Sequence, residues 1–283
     1  MTASRGVTRT ESILDQIVAD LREPRARRKQ AEPEQSLLSR IAELDAQWPL
    51  SAAITHGPRV PAAPAAVEVI AEIKKASPSR GILAPDLDYL AVARSYARGG
   101  AAGISVLTEE NHFRGGLEWL LDIRRRLAAE LPGTRPSLLR KDFLTEPYEI
   151  VQSRAYGADA VLLIVALLDD VLLREMIAAA ANAGLDALVE VHDEAEAERA
   201  VRAGATLFGI NNRDLRSFEV DLAATERVRP LLPGGAIVVG ESGVHTPADV
   251  ARLHRAGVKA VLVGEAFMTA PDAGAKLAEL RIR

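Results

Sequence analysis

The sequence has no cysteine among its 283 residues. This excludes disulfides, a thiol nucleophile and thiolate metal ligands, and makes a reducing cytoplasm the simplest home. Charge of one sign is not in excess either. A net charge of −4 gives no basis for a general nucleic-acid surface. No apolar run approaches the ~20 residues of a membrane span. The polar N-terminus carries no signal-peptide core. The expectation is a cytoplasmic protein with neither a nucleic-acid nor a membrane partner. The histidines are His56, His112, His192, His245 and His254; none pairs at i, i+4, and HExxH is absent. They are read as surface residues or as supports for others.

What is present is an ordinary globular composition, 48% hydrophobic and 26% charged. From Val67 onward a unit repeats: an apolar run ends in a polar residue, a short loop follows, then a helix of about three turns. The candidate strand ends are Lys74, Thr108, Lys141, Val165, Glu190, Asn211, Glu241 and Gly264. They lie 21 to 34 positions apart, close to the ~30-residue size of a βαβ unit. Predicted helices cover 86–98, 117–127, 147–156, 169–183, 194–203 and 247–256. Strands alternating with helices make a parallel sheet. Eight such units fit a closed (β/α)8 barrel. An open doubly wound sheet is the alternative, but the glycine-rich dinucleotide fingerprint it would carry after its first strand is missing.

Residues 1–60 lack this pattern. They are read as an N-terminal helical extension and connector packed on the barrel mouth, with residues 61–283 as the barrel. Ile13, Leu14, Ile17, Val18 and Leu21 recur at helical spacing, with Thr10 or Ser12 as N-cap. Pro24 is expected to end or kink this helix. A second helix is expected over 37–44, and a Pro/Ala-rich connector over 58–64. The basic run Arg25, Arg27, Arg28 and Lys29 reads as a solvated face, or as help with an anionic ligand. Deleting residues 1–45 is expected to weaken substrate binding more than it unfolds the barrel.

A (β/α)8 barrel carries its active site at the C-terminal ends of its strands. Here strand 1 ends in Glu72 and Lys74, which share a face because they are two apart. Strand 3 supplies Lys141 and strand 5 supplies Glu190. Strand 6 supplies Asn211 with Arg213 just beyond, and strand 7 supplies Glu241 and Ser242. Three carboxylates, two lysines and an amide converging on one mouth are hard to explain as packing. Two lysines beside the carboxylates also argue against a metal site. Strands 7 and 8 run into Gly243 and Gly264, where barrel enzymes often hold a phosphate. Glu265 suits an anion only if its side chain turns away.

These motifs resemble the indole-3-glycerol-phosphate synthase family. Glu72-Ile-Lys-Lys-Ala-Ser-Pro-Ser79 is similar to that family's first-strand signature. The resemblance continues through Ser105–Thr108, Leu139–Phe143, Leu188–His192, Gly209–Leu215, Gly240–Gly243 and Val263–Phe267, and so spans essentially the whole chain. Glu109–Phe113 is a slightly unusual loop. The resemblance implies closure of the indole pyrrole ring from 1-(2-carboxyphenylamino)-1-deoxyribulose 5-phosphate, with loss of CO2 and water. It implies no cofactor and no metal. It implies Lys141 as the acid, Glu190 in the dehydration proton transfers, and Lys74, oriented by Glu72, near the substrate carboxylate and the departing hydroxyl, where sharing the acid role stays open to it. Asn211 and Glu241 would bind the amine and hydroxyls, assisted by Ser242 and Arg213. Ser77, Gly243 and Gly264, with Glu265 beside them, would hold the phosphate. Phe143 would be an apolar wall or a core aromatic. A monomer is expected, with room for weak association with other enzymes of the pathway.

A Schiff-base aldolase acting through Lys141 or Lys74 stays open as a second reading. Phosphoribosylanthranilate isomerase shares the fold, but its pattern uses a cysteine base, which is absent here. A degenerate barrel should have lost some of these groups, and all are present.

Overall fold

The structure is a computed structural model that describes residues 6–10, 12–58, 65–78 and 80–282. Most of the predicted connector, 59–64, and Ser79 of the first-strand motif lie outside the described residues. Eight parallel strands close a barrel: β1 (Glu68–Ile73), β2 (Gly103–Leu107), β3 (Ser137–Lys141), β4 (Ala160–Ile164), β5 (Asp186–Val191), β6 (Leu207–Asn211), β7 (Ile237–Glu241) and β8 (Ala260–Val263). Each pairs with its neighbours in chain order, and β1 closes the ring against both β8 and β2. Parallel strands joined by crossover helices are covered on both faces. Hence every residue of β1, β2 and β4 is buried, Glu68 and Glu72 included. The closed sheet excludes the open alternative.

The helices follow the predicted runs to within a few residues: α4 (Tyr89–Arg98), α5 (Glu118–Glu130), α6 (Pro147–Ala155), α7 (Asp170–Asn182), α8 (Glu194–Arg202) and, after a short unpredicted α9 (Ala223–Val228), α10 (Pro247–Arg255). Short polar side chains start them. Asp88, Asp169, Asp193 and Thr246 each accept a first-turn backbone N–H, satisfying donors that have no partner within the helix.

Three helices precede the barrel: α1 (Ile13–Ala31), α2 (Glu34–Ile41) and α3 (Leu50–His56). Ser12, rather than Thr10, caps α1. Pro24 does not end α1, which runs on to Ala31. The cost of an interior proline is offset by anchors on both sides of it. Leu14, Ile17, Val18 and Leu21 are buried in the core before it. After it, Arg25, Arg28 and Lys29 pair with Glu149, Glu110 and Glu146 on the barrel. The basic run is therefore not a purely solvated face; Arg25, Arg28 and Lys29 fasten α1 to the barrel's loops and to α6.

The extension also reaches the opposite end of the barrel. Asp45 pairs with Arg124 at 2.5 Å and Arg135 at 3.4 Å, and both arginines pair with fully buried Asp159. Deleting 1–45 would leave this buried network short of a carboxylate and uncover core apolar surface. The truncation is therefore expected to cost stability, and point substitutions test the extension more cleanly.

Candidate active site

Strand parity builds the site. Side chains two apart on β1 share a face, so Glu72 and Lys74 meet, with Nζ 2.6 Å from Oε1. Lys141 at the end of β3 projects across the lumen to Glu190 of β5 at 2.9 Å and Glu241 of β7 at 3.3 Å. The register places Glu190 beside Gly209, and Asn211 beside Glu241. The Asn211 Oδ1 accepts from Ser242 Oγ at 2.8 Å and from the Arg213 backbone N–H at 3.1 Å. The backbone donor fixes the orientation of the amide and leaves its NH2 as a donor. Ser242 and Gly243 follow with φ of 62° and 79°. Ser242 is a non-glycine residue in the left-handed region, a strain characteristic of functional sites.

One open cavity sits on this floor. All the candidate residues line it: Glu72, Lys74, Lys141, Glu190, Asn211, Glu241 and Ser242, with Ser77, Phe143, Arg213, Gly243, Gly264 and Glu265. Phe143, 7% exposed, packs tilted against Phe113 with ring centroids 5.8 Å apart, so it is both a wall and part of the core. Leu107, Leu162, Ile164 and Leu262 complete the floor, and Ile13, Leu14 and Ile17 of α1 line the cavity from the extension. Glu265 lines the cavity with its carboxylate paired, to Arg80 at 2.7 Å and Arg213 at 3.7 Å. In the unusual loop after β2, the buried Glu109 carboxylate accepts N–H bonds from Asn111, His112 and Phe113, which fixes its course. Among the described residues no group of three or more His, Asp or Glu is arranged to hold a metal ion. No helix among them is long and apolar enough to cross a membrane.

The charges set each other. Burial would lower Lys141, but the carboxylates of Glu190, Glu241 and Glu72 outweigh it and hold the ammonium well above the usual lysine range. Burial would raise Glu190, but Lys141 and His192 keep it well below the usual carboxylate range. Glu241 goes the other way: burial, with Glu190 beside it, pushes it up against the pull of Lys141. One of its oxygens, Oε1, is buried without a hydrogen-bond partner. Two carboxylates on one ammonium are thus driven apart, one fixed as the anion and the other readier to hold a proton.

Sequence reasoning missed two contributors. His192 lies two residues beyond Glu190, with Nε2 3.2 Å from Glu190 Oε1 and Nδ1 3.0 Å from Glu196 Oε2. The contact to Glu190 has ion-pair distance but not the angle of a directed hydrogen bond. Glu190 is therefore held between two cations, Lys141 and His192. The i, i+2 rule that paired Glu72 with Lys74 would have found it. Gly209 is the second. A Cβ there would lie 2.0 Å from Glu241 Oε1, and one at Gly264 would lie 2.2 Å from Glu72 Oε1. Both glycines make room for carboxylates, so Gly264 does more than turn the chain.

Two expected results follow from these neighbours. Gly209→Ala should displace Glu241 and lower kcat by on the order of 10²-fold, since misplacement by about 1 Å has that effect. Circular dichroism should show the barrel retained; parent kcat in a folded variant would show that the glycine is not needed. His192 is the pH-dependent case. Burial would lower it, but its contacts to Glu190 and Glu196 raise it from 6.5 to about 10. A cation stabilised by folding contributes fully below its unfolded pKa and is lost as pH rises through the folded one. Stability should therefore fall between about pH 6.5 and about 10, with a slope from this group of at most about 1.4 kcal/mol per pH unit. His192→Asn should flatten that part of the profile in denaturant titrations. An unchanged slope would remove His192 as its cause.

A parallel barrel with carboxylates and ammonium groups gathered in one cavity at its strand ends defines the class as a (β/α)8-barrel enzyme. Similarity to known proteins narrows this. The indole-3-glycerol phosphate synthase family model matches residues 14–280, and the chain belongs to that family. An indole-3-glycerol phosphate synthase from Dehalococcoides mccartyi is 52% identical over 215 residues, 76% of this chain and 81% of that protein. One from Variovorax paradoxus is 44% identical over 276 residues, 95% and 98% of the two chains. Among solved structures, a 3-hexulose-6-phosphate synthase superposes with a TM-score of 0.59 at 19% identity, covering 76% of this chain and 98% of its own. A thiamine phosphate pyrophosphorylase from Pyrococcus furiosus gives 0.56 at 19% identity, covering 76% and 94%. At that identity these two bear on the fold alone.

Proposed function

We propose that the chain closes the pyrrole ring of 1-(2-carboxyphenylamino)-1-deoxyribulose 5-phosphate, giving indole-3-glycerol phosphate, CO2 and water. The observation that carries this is Lys141, a half-buried ammonium between the buried carboxylates of Glu190 and Glu241 on the floor of the cavity. The aromatic carbon bearing the carboxylate attacks the ketone, whose oxygen becomes negative. Lys141 donates the proton that makes it a hydroxyl. Loss of CO2 restores the aromatic ring. The nitrogen lone pair then expels the hydroxyl as water, with a proton from Lys74, and Glu190 accepts the proton released when the new double bond forms. Lys74, oriented by Glu72, faces the substrate carboxylate. The Asn211 amide and Glu241 Oε1 take the amine and sugar hydroxyls, with Ser242 fixing Asn211. Ser77, Arg213 and the backbone at Gly243, Gly264 and Glu265 take the phosphate. Phe143 and, from the extension, Ile13, Leu14 and Ile17 wall the aromatic ring.

A buried lysine paired with carboxylates is charged, and a charged amine is no nucleophile. That favours ring closure over the Schiff-base aldolase reading. The test is turnover of this substrate with one CO2 released per indole formed. Borohydride trapping of a ketose phosphate on Lys141 or Lys74, without such turnover, would support the aldolase instead.

A further inference from the structure

We propose that Arg25, on the N-terminal extension, is a positioning residue for the segment that follows the catalytic lysine; the proposal rests on the ring-closure reading of the site. Arg25 is one of the four basic residues in the run from 25 to 29 on α1, and the one whose side chain is nearly buried, at 10% exposure. Its guanidinium pairs with Glu149 Oε1 at 2.8 Å, donates to Thr145 Oγ1 at 2.9 Å, and donates to the Phe143 carbonyl. The other oxygen of Glu149 accepts the Thr145 and Glu146 N–H groups at 2.8 and 3.1 Å. From the barrel side, Arg140 pairs with Asp142 at 2.9 Å, and Asp142 accepts the Phe143 N–H at 2.9 Å. The backbone of Phe143 is thus held at both ends, its N–H by the barrel and its carbonyl by the extension. The Phe143 ring lines the cavity, and Lys141 is two residues before it. A planar fork that engages three groups at once is a task for arginine that lysine cannot reproduce in full. The remaining basic residues differ: Arg27, 68% exposed, pairs with Glu23 of its own helix, while Arg28 and Lys29 make more exposed pairs that fasten α1.

The experiment uses the full chain with Arg25→Met, Arg25→Lys, Arg28→Met and Arg27→Met, reading kcat, KM, thermal midpoint and amide exchange. Expected for Arg25→Met is a kcat about tenfold lower or more, with faster exchange confined to 143–146 while the α1 amides stay protected. Arg25→Lys should recover part of kcat, and Arg27→Met should match the parent. Parent kcat in Arg25→Met overturns the proposal. So does an equal kcat loss in Arg28→Met, or exchange rising throughout α1, since either would mean general undocking of the helix. Should Arg25→Met fail to fold, Arg25→Lys decides: lowered kcat at the parent midpoint supports positioning, and parent kcat refutes it. A parent without turnover would sink the ring-closure reading instead, while the exchange data would still report on the segment.

Discussion

Lys141→Ala is expected to reduce kcat by at least about 10³-fold, while affinity for a phosphate-bearing product analogue changes little. Two losses combine. The acid that protonates the ketone oxygen is gone, and general acid catalysis supplies about 10²–10⁴-fold. The positive charge facing the developing alkoxide is gone too, a contribution of about 10²–10³ in comparable sites. The loops proposed to hold the phosphate follow β7 and β8, whereas Lys141 ends β3, so the proposed anion contacts are not on this residue. The fold should survive. Removing one partner of a buried pair costs about 3–5 kcal/mol, but that is a ceiling here, because Glu190 keeps His192 and Glu241 already tends to hold a proton. The measurement is steady-state kinetics beside product-analogue titration. Parent turnover in the variant would remove Lys141 from the chemistry.

Glu190→Gln is the second large effect. An amide cannot take up the proton that dehydration releases, so kcat should fall by about 10²–10⁴-fold. Its pH profile is as informative as its rate. From sequence, a bell-shaped profile is expected whose acidic limb follows ionisation of Glu190, its apparent values belonging to the coupled cluster rather than to single residues. The structure moves that limb. Lys141 and His192 hold Glu190 below the usual range, whereas Glu241 sits above it. The limb therefore belongs to the coupled cluster, with Glu241 its highest-titrating carboxyl. Activity should rise with pH as Glu241 ionises. Replacing Glu190 removes a like charge beside Glu241 and frees Lys141 for it, so the remaining limb should shift to lower pH. This is read from kcat under conditions where chemistry limits the rate. A variant that keeps the full rate and an unmoved limb would transfer the proton-transfer role to Glu72 or Glu241.

The floor of the site was legible because a barrel strand converts sequence parity into direction. Once Lys74, Lys141, Glu190, Asn211 and Glu241 are read as strand ends, closure alone brings them together. The glycines after β7 and β8 were legible for the same reason. What escaped depended on partners far along the chain. Pro24 reads locally as a stop, yet core burial before it and ion pairs after it carry α1 through. Arg25 reads as one charge in a run; its three partners lie on the segment after β3 and on α6, which nothing near residue 25 announces. Gly209 acquires meaning only when Glu241 of the adjacent strand is seen to fill the space its side chain would take. His192 was within reach, since it stands to Glu190 as Lys74 stands to Glu72.

The most direct test of ring closure at this mouth is to incubate the full chain with 1-(2-carboxyphenylamino)-1-deoxyribulose 5-phosphate and follow indole fluorescence, with Lys141→Ala in parallel. Expected is a rise in indole emission with the parent protein and none above background with the variant. No indole signal from the parent at high enzyme concentration, or equal signals from both proteins, would contradict it.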